Sequence, residues 1–315
     1  MVLNNVLNQQ INNEEVLEAK HIFAIDYLKL KVEITNNPLE LSQNMVIPLT
    51  KFDGEFQPLQ ESYSKQWVCG SYNDHIQIKA INKNEILIHG NLFKWLNGQN
   101  VTGTTDLIQL VLDTVNRLSQ IFNAITPTDK EIENLKLGLF RIYRIDVNKA
   151  LLFDDKQKAQ QYLSSIKEHG TYPRRDREVE NNGIYFGKGS KRTTLLYYFK
   201  GQEIRSHNKQ QTTLTTELRE YADRMIRCEV RLFNQQLRDS ELHYGYCWNE
   251  ELVKHLVEDS HSKLNLPEPV SEIELPAKYI RFLATQKQGA LHIGYTASTT
   301  ARYKRDLARD YGLMV

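Results

Sequence analysis

IRCEVRLF, residues 226–233, alternates without a break. Successive side chains of an extended strand point to opposite faces, so Ile226, Cys228, Val230 and Leu232 share one side and Arg227, Glu229 and Arg231 the other. The apolar side suits a core, while the opposite side displays a carboxylate between two arginines. This predicts a strand in an antiparallel sheet with one buried and one polar face. FRIYRIDV, residues 140–147, repeats the arrangement, with Arg144 and Asp146 on one side. Both segments read either as open faces laced with salt bridges or as a chemical site built on a sheet.

Working outward, HIFAIDYLKLKVEI (21–34) is rich in β-formers, with Ile22, Ala24, Leu28 and Leu30 on one side and Asp26 falling on that apolar side. QWVCGSY, HIQIKAI and EILIHGN read as antiparallel meanders between Gln66 and Asn91, punctuated by Gly70, Asn73, Asp74 and Gly90. Thr104 and Thr105 are candidate caps of a helix whose Leu107, Val111, Val115, Leu118 and Phe122 form one stripe. A strand is expected over 137–147, a helix near 156–167, a polar loop over 170–180, strands over 183–187 and 193–200, and a helix over 214–225. The order gives an α+β fold: an antiparallel sheet with helices packed on one face, two similar α+β halves being possible, plus a small helical C-terminal lobe. The division expected is an arm over 1–20, a main domain over 21–235 and a helical region over 236–315.

The 315 residues, 40 % of them apolar and 25 % charged, suit two lobes or one large body and exclude a disordered, collagen-like or polytopic membrane chain. Forty Lys+Arg against 39 Asp+Glu leave a net charge of +1, so a nucleic-acid site has to be a local patch. Such a patch is present between Thr171 and Lys209, where nine basic residues, Arg174, Arg175, Arg177, Lys188, Lys191, Arg192, Lys200, Arg205 and Lys209, face four acids. It reads as a phosphate-binding surface or as a solvated loop. Three scattered cysteines and the lack of a signal-peptide pattern point to a reducing cytoplasm, with neither export nor membrane insertion expected.

Within the basic stretch, TTLLYYFKGQE (193–203) places Tyr197 among core positions and Tyr198 on the same side as Lys200. A phenol, ordinarily titrating near ~10, becomes a nucleophile only where a cation lowers the cost of its phenolate. The pair is therefore either a nucleophile with its helper or ordinary strand structure. No His-x-His or Cys-x-x-Cys pattern, P-loop or Gly-x-Ser-x-Gly occurs, which disfavours zinc sites, NTPases and serine hydrolases. With acids as the available ligands, the metal expected is hard, Mg²⁺ or Mn²⁺.

IDYLKLKVEI (25–34), FKWLNGQNVTGTTDL (93–107), YRIDV (143–147), RTTLLYYFKGQEI (192–204) and MIRCEVRL (225–232) together resemble the replication initiation proteins of filamentous bacteriophages, the gene II/gene X type. A weaker similarity continues in ARYKRDLARDYG (301–312). The resemblance implies an origin-specific, metal-dependent DNA endonuclease and strand transferase that starts rolling-circle replication through a 5′-phosphotyrosine. It implies Tyr198 as nucleophile beside Lys200, and Asp26, Asp146 and Glu229 as metal ligands. Arg174, Arg175, Arg177, Lys188, Lys191, Arg192, Arg227 and Arg231 become expected DNA contacts. Arg302, Arg305 and Arg309, spaced along one helix face, join them as phosphate contacts unless Asp306 and Asp310 pair with them. The partners implied are supercoiled and displaced single-stranded origin DNA with host helicase and polymerase, in the bacterial cytoplasm, without membrane or small-molecule cofactor. The alternative is a non-catalytic origin-binding or repressor protein of the same fold. Set beside that family, the chain is expected to be shorter than the typical gene II protein after about residue 250, and it lacks the two-histidine metal motif of other rolling-circle nucleases.

Overall fold

The computed structural model describes residues 23–43, 46–49, 60–70, 74–207, 214–266, 275–287 and 289–311; the expected arm over 1–20 lies outside them. Two compact units divide at residue 266, later than the boundary expected at 235, because the helix over Glu250–Ser262 packs on the sheet.

In the first unit β1 (Phe23–Glu33) is followed by a separate hairpin of β2 (Val46–Leu49) and β3 (Gln60–Tyr63). Next come β4 (Gln66–Cys69), β5 (His75–Asn82), β6 (Glu85–Gly90), α1 (Leu92–Asn97), α2 (Leu107–Ile121) and α3 (Asp129–Lys136). The chain continues through β7 (Arg141–Leu152), α4 (Lys156–His169), β8 (Arg177–Glu180), β9 (Gly183–Phe186), β10 (Thr193–Phe199), α5 (Lys200–His207) and α6 (Thr216–Asp223). It ends with β11 (Met225–Phe233), α7 (Asn234–Asp239) and α8 (Glu250–Ser262). Nine strands form one antiparallel sheet in the order β4-β5-β6-β1-β7-β11-β10-β9-β8.

That order contains a repeat. In β1-β6-β5-β4 and in β7-β11-β10-β9 the first strand of each half lies innermost and the last strand of the half pairs with it. A short and then a long helix follow each half, α1 and α2 after β6, α7 and α8 after β11. The antiparallel β1–β7 pair joins the halves about a pseudo-twofold axis.

The period-2 reading of β11 holds, since Ile226, Cys228, Val230 and Leu232 are buried in the main core. Across the register they meet Phe199, Tyr197, Leu195 and Thr193 of β10. Leu28, Leu30, Val32, Ile145 and Val147 continue this face, covered by side chains of α2, α4 and α8. Each large side chain buried this way stabilises by about 1.5–3 kcal/mol. The long helices thus lie on one face as expected. The short α5 and α6 stand at one end of the other face, where Ile204, Tyr221 and Ala222 pack with Val101, Ala150 and Met225, and they wall off part of the polar face as a cleft.

Four local expectations shift. The strand expected from Leu137 begins at Arg141, because α3 runs to Lys136 and Gly138, at φ +73°, turns the chain against Tyr246. The expected polar loop ends in the exposed edge strand β8, and Lys200 opens α5 instead of closing β10. Asp106, rather than Thr104 or Thr105, caps α2 by accepting from Gln109 N at 2.9 Å.

The second unit holds α9 (Ala277–Lys287), α10 (Leu291–Gly294) and α11 (Ala297–Tyr311) around buried Tyr279, Phe282 and Leu307. Among the described residues no helix is long and apolar enough to cross a membrane.

Candidate functional site

The polar face carries a cleft of about 690 Å³, and Asp26, Tyr27, Arg144, Asp146, Tyr198, Glu229 and Arg231 line it. Six of the seven reach it by strand alternation. Asp26 reaches it by a break in alternation: the β1–β7 register shifts between Ile25 and Tyr27, so Asp26 and Tyr27 both open on the cleft. The expectation that Asp26 points to the apolar side is thereby corrected; an inserted residue re-aims a side chain in this way.

Around Asp26 the carboxylate accepts from Asn91 Nδ2 and, at 3.0 Å, from Asn100 Nδ2, with Arg227 Nη1 at 3.7 Å. Burial works to raise its pKa, but Arg227, Lys200 and the two amides outweigh it and hold the carboxylate below its usual range. Asn100 also accepts from Lys200 Nζ at 2.8 Å, and Lys200 donates to Glu203 at 2.7 Å. Lys200 is fully buried, and burial first, then Arg227, lowers its pKa to about 8. The segment LNGQNVTGTTDL thus earns its unusual sequence: Asn100 joins Lys200 to Asp26, and Val101 O accepts from Arg227 Nη2 at 3.0 Å.

Tyr198 stands on the cleft wall, 8 % exposed. Its hydroxyl engages Arg227, and the Lys200 ammonium lies 6.0 Å from its ring centre. Burial pushes the phenol well above its ordinary value; Arg227 opposes this, while Glu229, Asp26 and Glu203 add to it. Opposite Tyr198 in the register is Gly183, where a Cβ would meet Tyr197 O at 2.4 Å. Tyr197 is core, with its hydroxyl 2.8 Å from His261 Nδ1.

Asp146 and Glu229 form a second group. Arg144 holds Asp146 with both arms of its guanidinium, at 2.8 and 2.5 Å, and Arg231 Nε donates to Glu229 at 2.7 Å while standing 3.6 Å from Asp146. Burial, with the neighbouring Glu229, raises Asp146 to about 7 against the pull of Arg144 and Arg231. Asn148 lies opposite Glu229 in the register, and its buried Nδ2 has no partner.

The metal expectation meets this geometry in part. Among the described residues no three carboxylate, histidine or cysteine groups gather as a metal-holding set. The expected trio is split: Asp26 is held by amides and Arg227, Asp146 and Glu229 by arginines. The donor chemistry of Asp146, Glu229 and the Asn148 carboxamide nevertheless suits a hard cation.

Six of the nine basic residues of the stretch are occupied by the protein itself, Lys200 on Glu203 and Arg205 on Asp223 among them, and Lys209 lies outside the described residues. Arg175 donates to Thr193, Arg177 to the carbonyls of Glu168 and Gly170, and Lys188 pairs with Glu178 and Glu180. Arg192 pairs with Asp239 at 2.7 Å. Arg174 and Lys191 are exposed and make no ion pair among the described residues. Arg227 is 2 % exposed and Arg231 is committed to Glu229 and Asp146, so both belong to the cleft. In the second unit Arg302 and Arg305 are exposed, whereas Arg309 pairs with Asp306 and Asp310. Asn91, Asn100, Tyr27 and His89 are polar-face residues that motif reading passed over; the conspicuous 93–107 segment was the signal for Asn100, and Asn91 lies just before it.

Residues 24–251, which hold the whole cleft, match the family model described as the N-terminal part of the phage replication-associated protein of the gene II type. The chain is 22 % identical over 269 residues to the replication-associated protein of that type from Enterobacteria phage I2-2, covering 80 % of this chain and 78 % of that one. A solved structure of a rolling circle replication initiator protein from Geobacillus stearothermophilus aligns over 83 % of this chain and 95 % of its own, at 11 % identity and a TM-score of 0.32.

Proposed function

The chain belongs to the phage replication-associated protein family of the gene II type, and on that premise we propose that it is an origin-specific DNA endonuclease and strand transferase. It starts rolling-circle replication of phage DNA in the bacterial cytoplasm through a 5′-phosphotyrosine. The observation that carries this reading is the placement of two adjacent tyrosines: Tyr197 is sealed in the core, while Tyr198 lines a polar cleft with its hydroxyl on Arg227.

In the proposed reaction Tyr198 Oη attacks the scissile phosphorus and the P–O3′ bond breaks. The phenolic proton ends on the 3′ oxygen, which becomes the primer for a host polymerase while a helicase separates the strands. Because burial raises the phenol, Arg227 has to lower the cost of the phenolate. Lys200, already bound to Asn100 and Glu203, positions the Asp26–Arg227 pair. A bound Mg²⁺ or Mn²⁺ would neutralise charge on the phosphate; Asp146 and Glu229, with the Asn148 carboxamide oxygen, are the residues that would hold it. Of the expected DNA contacts, exposed Arg174 and Lys191, and Arg302 and Arg305 of the second unit, are those that make no ion pair among the described residues and can meet DNA phosphates.

Incubating the protein and Mg²⁺ with supercoiled plasmids carrying a panel of phage origins, then resolving products on a denaturing gel, tests the reading. Wild type and Y197F are expected to give nicked circles with an extendable 3′-OH and protein on the 5′ end, at a position the gel maps. Y198F is expected to give none. Nicking by Y198F, or by no protein on any origin, defeats the proposal.

A further inference from the structure

Across the cleft from Tyr198, on β1, β6 and β5, lies a second arrangement of polar side chains that this reaction does not use. The Tyr27 hydroxyl lies 2.9 Å from His89 Nδ1, and His89 Nε2 bonds Gln77 Oε1. Gln77 Oε1 can only accept, so its bond places the imidazole proton on Nε2 and leaves the Nδ1 lone pair facing the Tyr27 O–H. The Arg144 guanidinium lies over the Tyr27 ring, 4.3 Å from its centre, a cation beside the phenol. Nucleophile, base and a group that orients the base are the three parts of an activated hydroxyl.

The pseudo-twofold gives this arrangement a counterpart. Tyr27 and Asp146 face each other in the register of the joining strand pair. His89 pairs with Lys29, two residues beyond Tyr27, as Glu229 pairs with Asn148, two residues beyond Asp146. The two halves thus present Tyr27/His89 and Asp146/Glu229 at equivalent places on one face. Resting on the nicking reaction above, we propose that Tyr27 is a second phosphoryl acceptor of the cleft, with His89 as its general base and Gln77 as the residue that positions His89.

Rolling-circle replication supplies the chemical need. Once Tyr198 holds a 5′ phosphate it cannot cut the origin regenerated after one round, and a second acceptor allows that cut without release of the first end. Tyr27 Oη attacks the second scissile phosphorus, the P–O3′ bond breaks, and the proton moves from Tyr27 to His89 Nδ1 and on to the leaving 3′ oxygen. That 3′-OH can then attack the Tyr198 phosphotyrosine, restoring the phenol and closing the displaced circle.

The test uses a single-stranded oligonucleotide spanning the mapped nick, with sulfur replacing the bridging 3′ oxygen so that the leaving group cannot return. Trypsin places Tyr27 in HIFAIDYLK (21–29) and Tyr198 in TTLLYYFK (193–200). Under excess oligonucleotide, wild type is expected to carry DNA on both peptides and to show a doubly loaded band. Y27F should show only the singly loaded one, and H89F should slow the Tyr27 adduct by about 10²-fold. Q77L should slow it too, and Q77E, whose carboxylate still accepts from Nε2, should restore it. DNA on 193–200 alone overturns the proposal and leaves the Tyr198 reading standing. If no peptide carries DNA the nicking reading itself has failed, and labelling by 4-methylbenzenesulfonyl fluoride decides the triad: His89-dependent labelling of 21–29 upholds it, His89-independent labelling removes it.

Discussion

At the residue scale, the cost of assembling the cleft is concentrated in Lys200, which is wholly buried yet bonded to Asn100 and Glu203. Unfolded, a lysine keeps its proton to about pH 10.4; here burial lowers that point to about 8. Between those values the unfolded chain binds more protons than the folded one, so this group makes stability rise with pH; below pH 8 both states are charged and its cost is constant. The relief amounts to ~3 kcal/mol at most. Chemical denaturation of wild type and K200M from pH 7 to 10.5 is expected to give curves that run parallel below pH 8 and then separate in favour of wild type. Parallel curves throughout would show that Lys200 does not change its proton affinity on folding. The sequence placed Lys200 beside Tyr198 but as a strand neighbour; the start of α5 at that residue brings its ammonium under the 96–107 segment instead, and no local periodicity encodes that contact. Arg227, read as a member of an exposed row, is the cation that touches the Tyr198 hydroxyl.

At the element scale, what was legible is what repeats. β5, β6, β10 and β11 follow period 2 in chemistry, apolar side chains alternating with polar ones, although in β10 and β11 the polar side chains of the cleft face are buried too; the stripe of α2 follows 3.6 because one side of that helix packs on the core. What was not legible depends on single insertions and on competition between neighbours. The bulge at Asp26 is one extra residue, and nothing in IDYLK announces it. The start of α2 offers three adjacent capping residues, Thr104, Thr105 and Asp106, and the backbone settles on the last. Thr104 Oγ1 instead accepts from Asp106 N at 3.0 Å, ordering the turn that leads into the helix. D106A is therefore expected to cost about 1 kcal/mol in urea unfolding, and T105A less than about 0.5 kcal/mol. A larger loss for T105A would move the cap back to the position first expected.

At the scale of the whole molecule, the possibility of two similar halves was open in the sequence, and the strand order makes it concrete. Their side chains diverge at equivalent positions, Tyr27 and His89 in one half, Asp146 and Glu229 in the other, which is why no repeat could be seen from residue identities. The second unit adds a further surface. On α11 the stripe Tyr303–Leu307 packs into the core of that unit as the spacing required, and the opposite face carries the arginines. Arg309, however, is bound to Asp306 and Asp310, at 3.3 and 2.7 Å, so of the expected three cations two, Arg302 and Arg305, are available to phosphate. Each phosphate neutralised contributes about 0.9 to the slope of log affinity against log salt. The R302A/R305A protein is expected to bind duplex DNA with a slope smaller by about 2 than wild type, to the same degree for origin and unrelated sequence, since backbone contacts carry no base information. Adding R309A should change the slope little further. A fall of about 3 in the triple variant would show that DNA breaks the Arg309 pairs; equal slopes in all three proteins would take α11 out of the DNA interface.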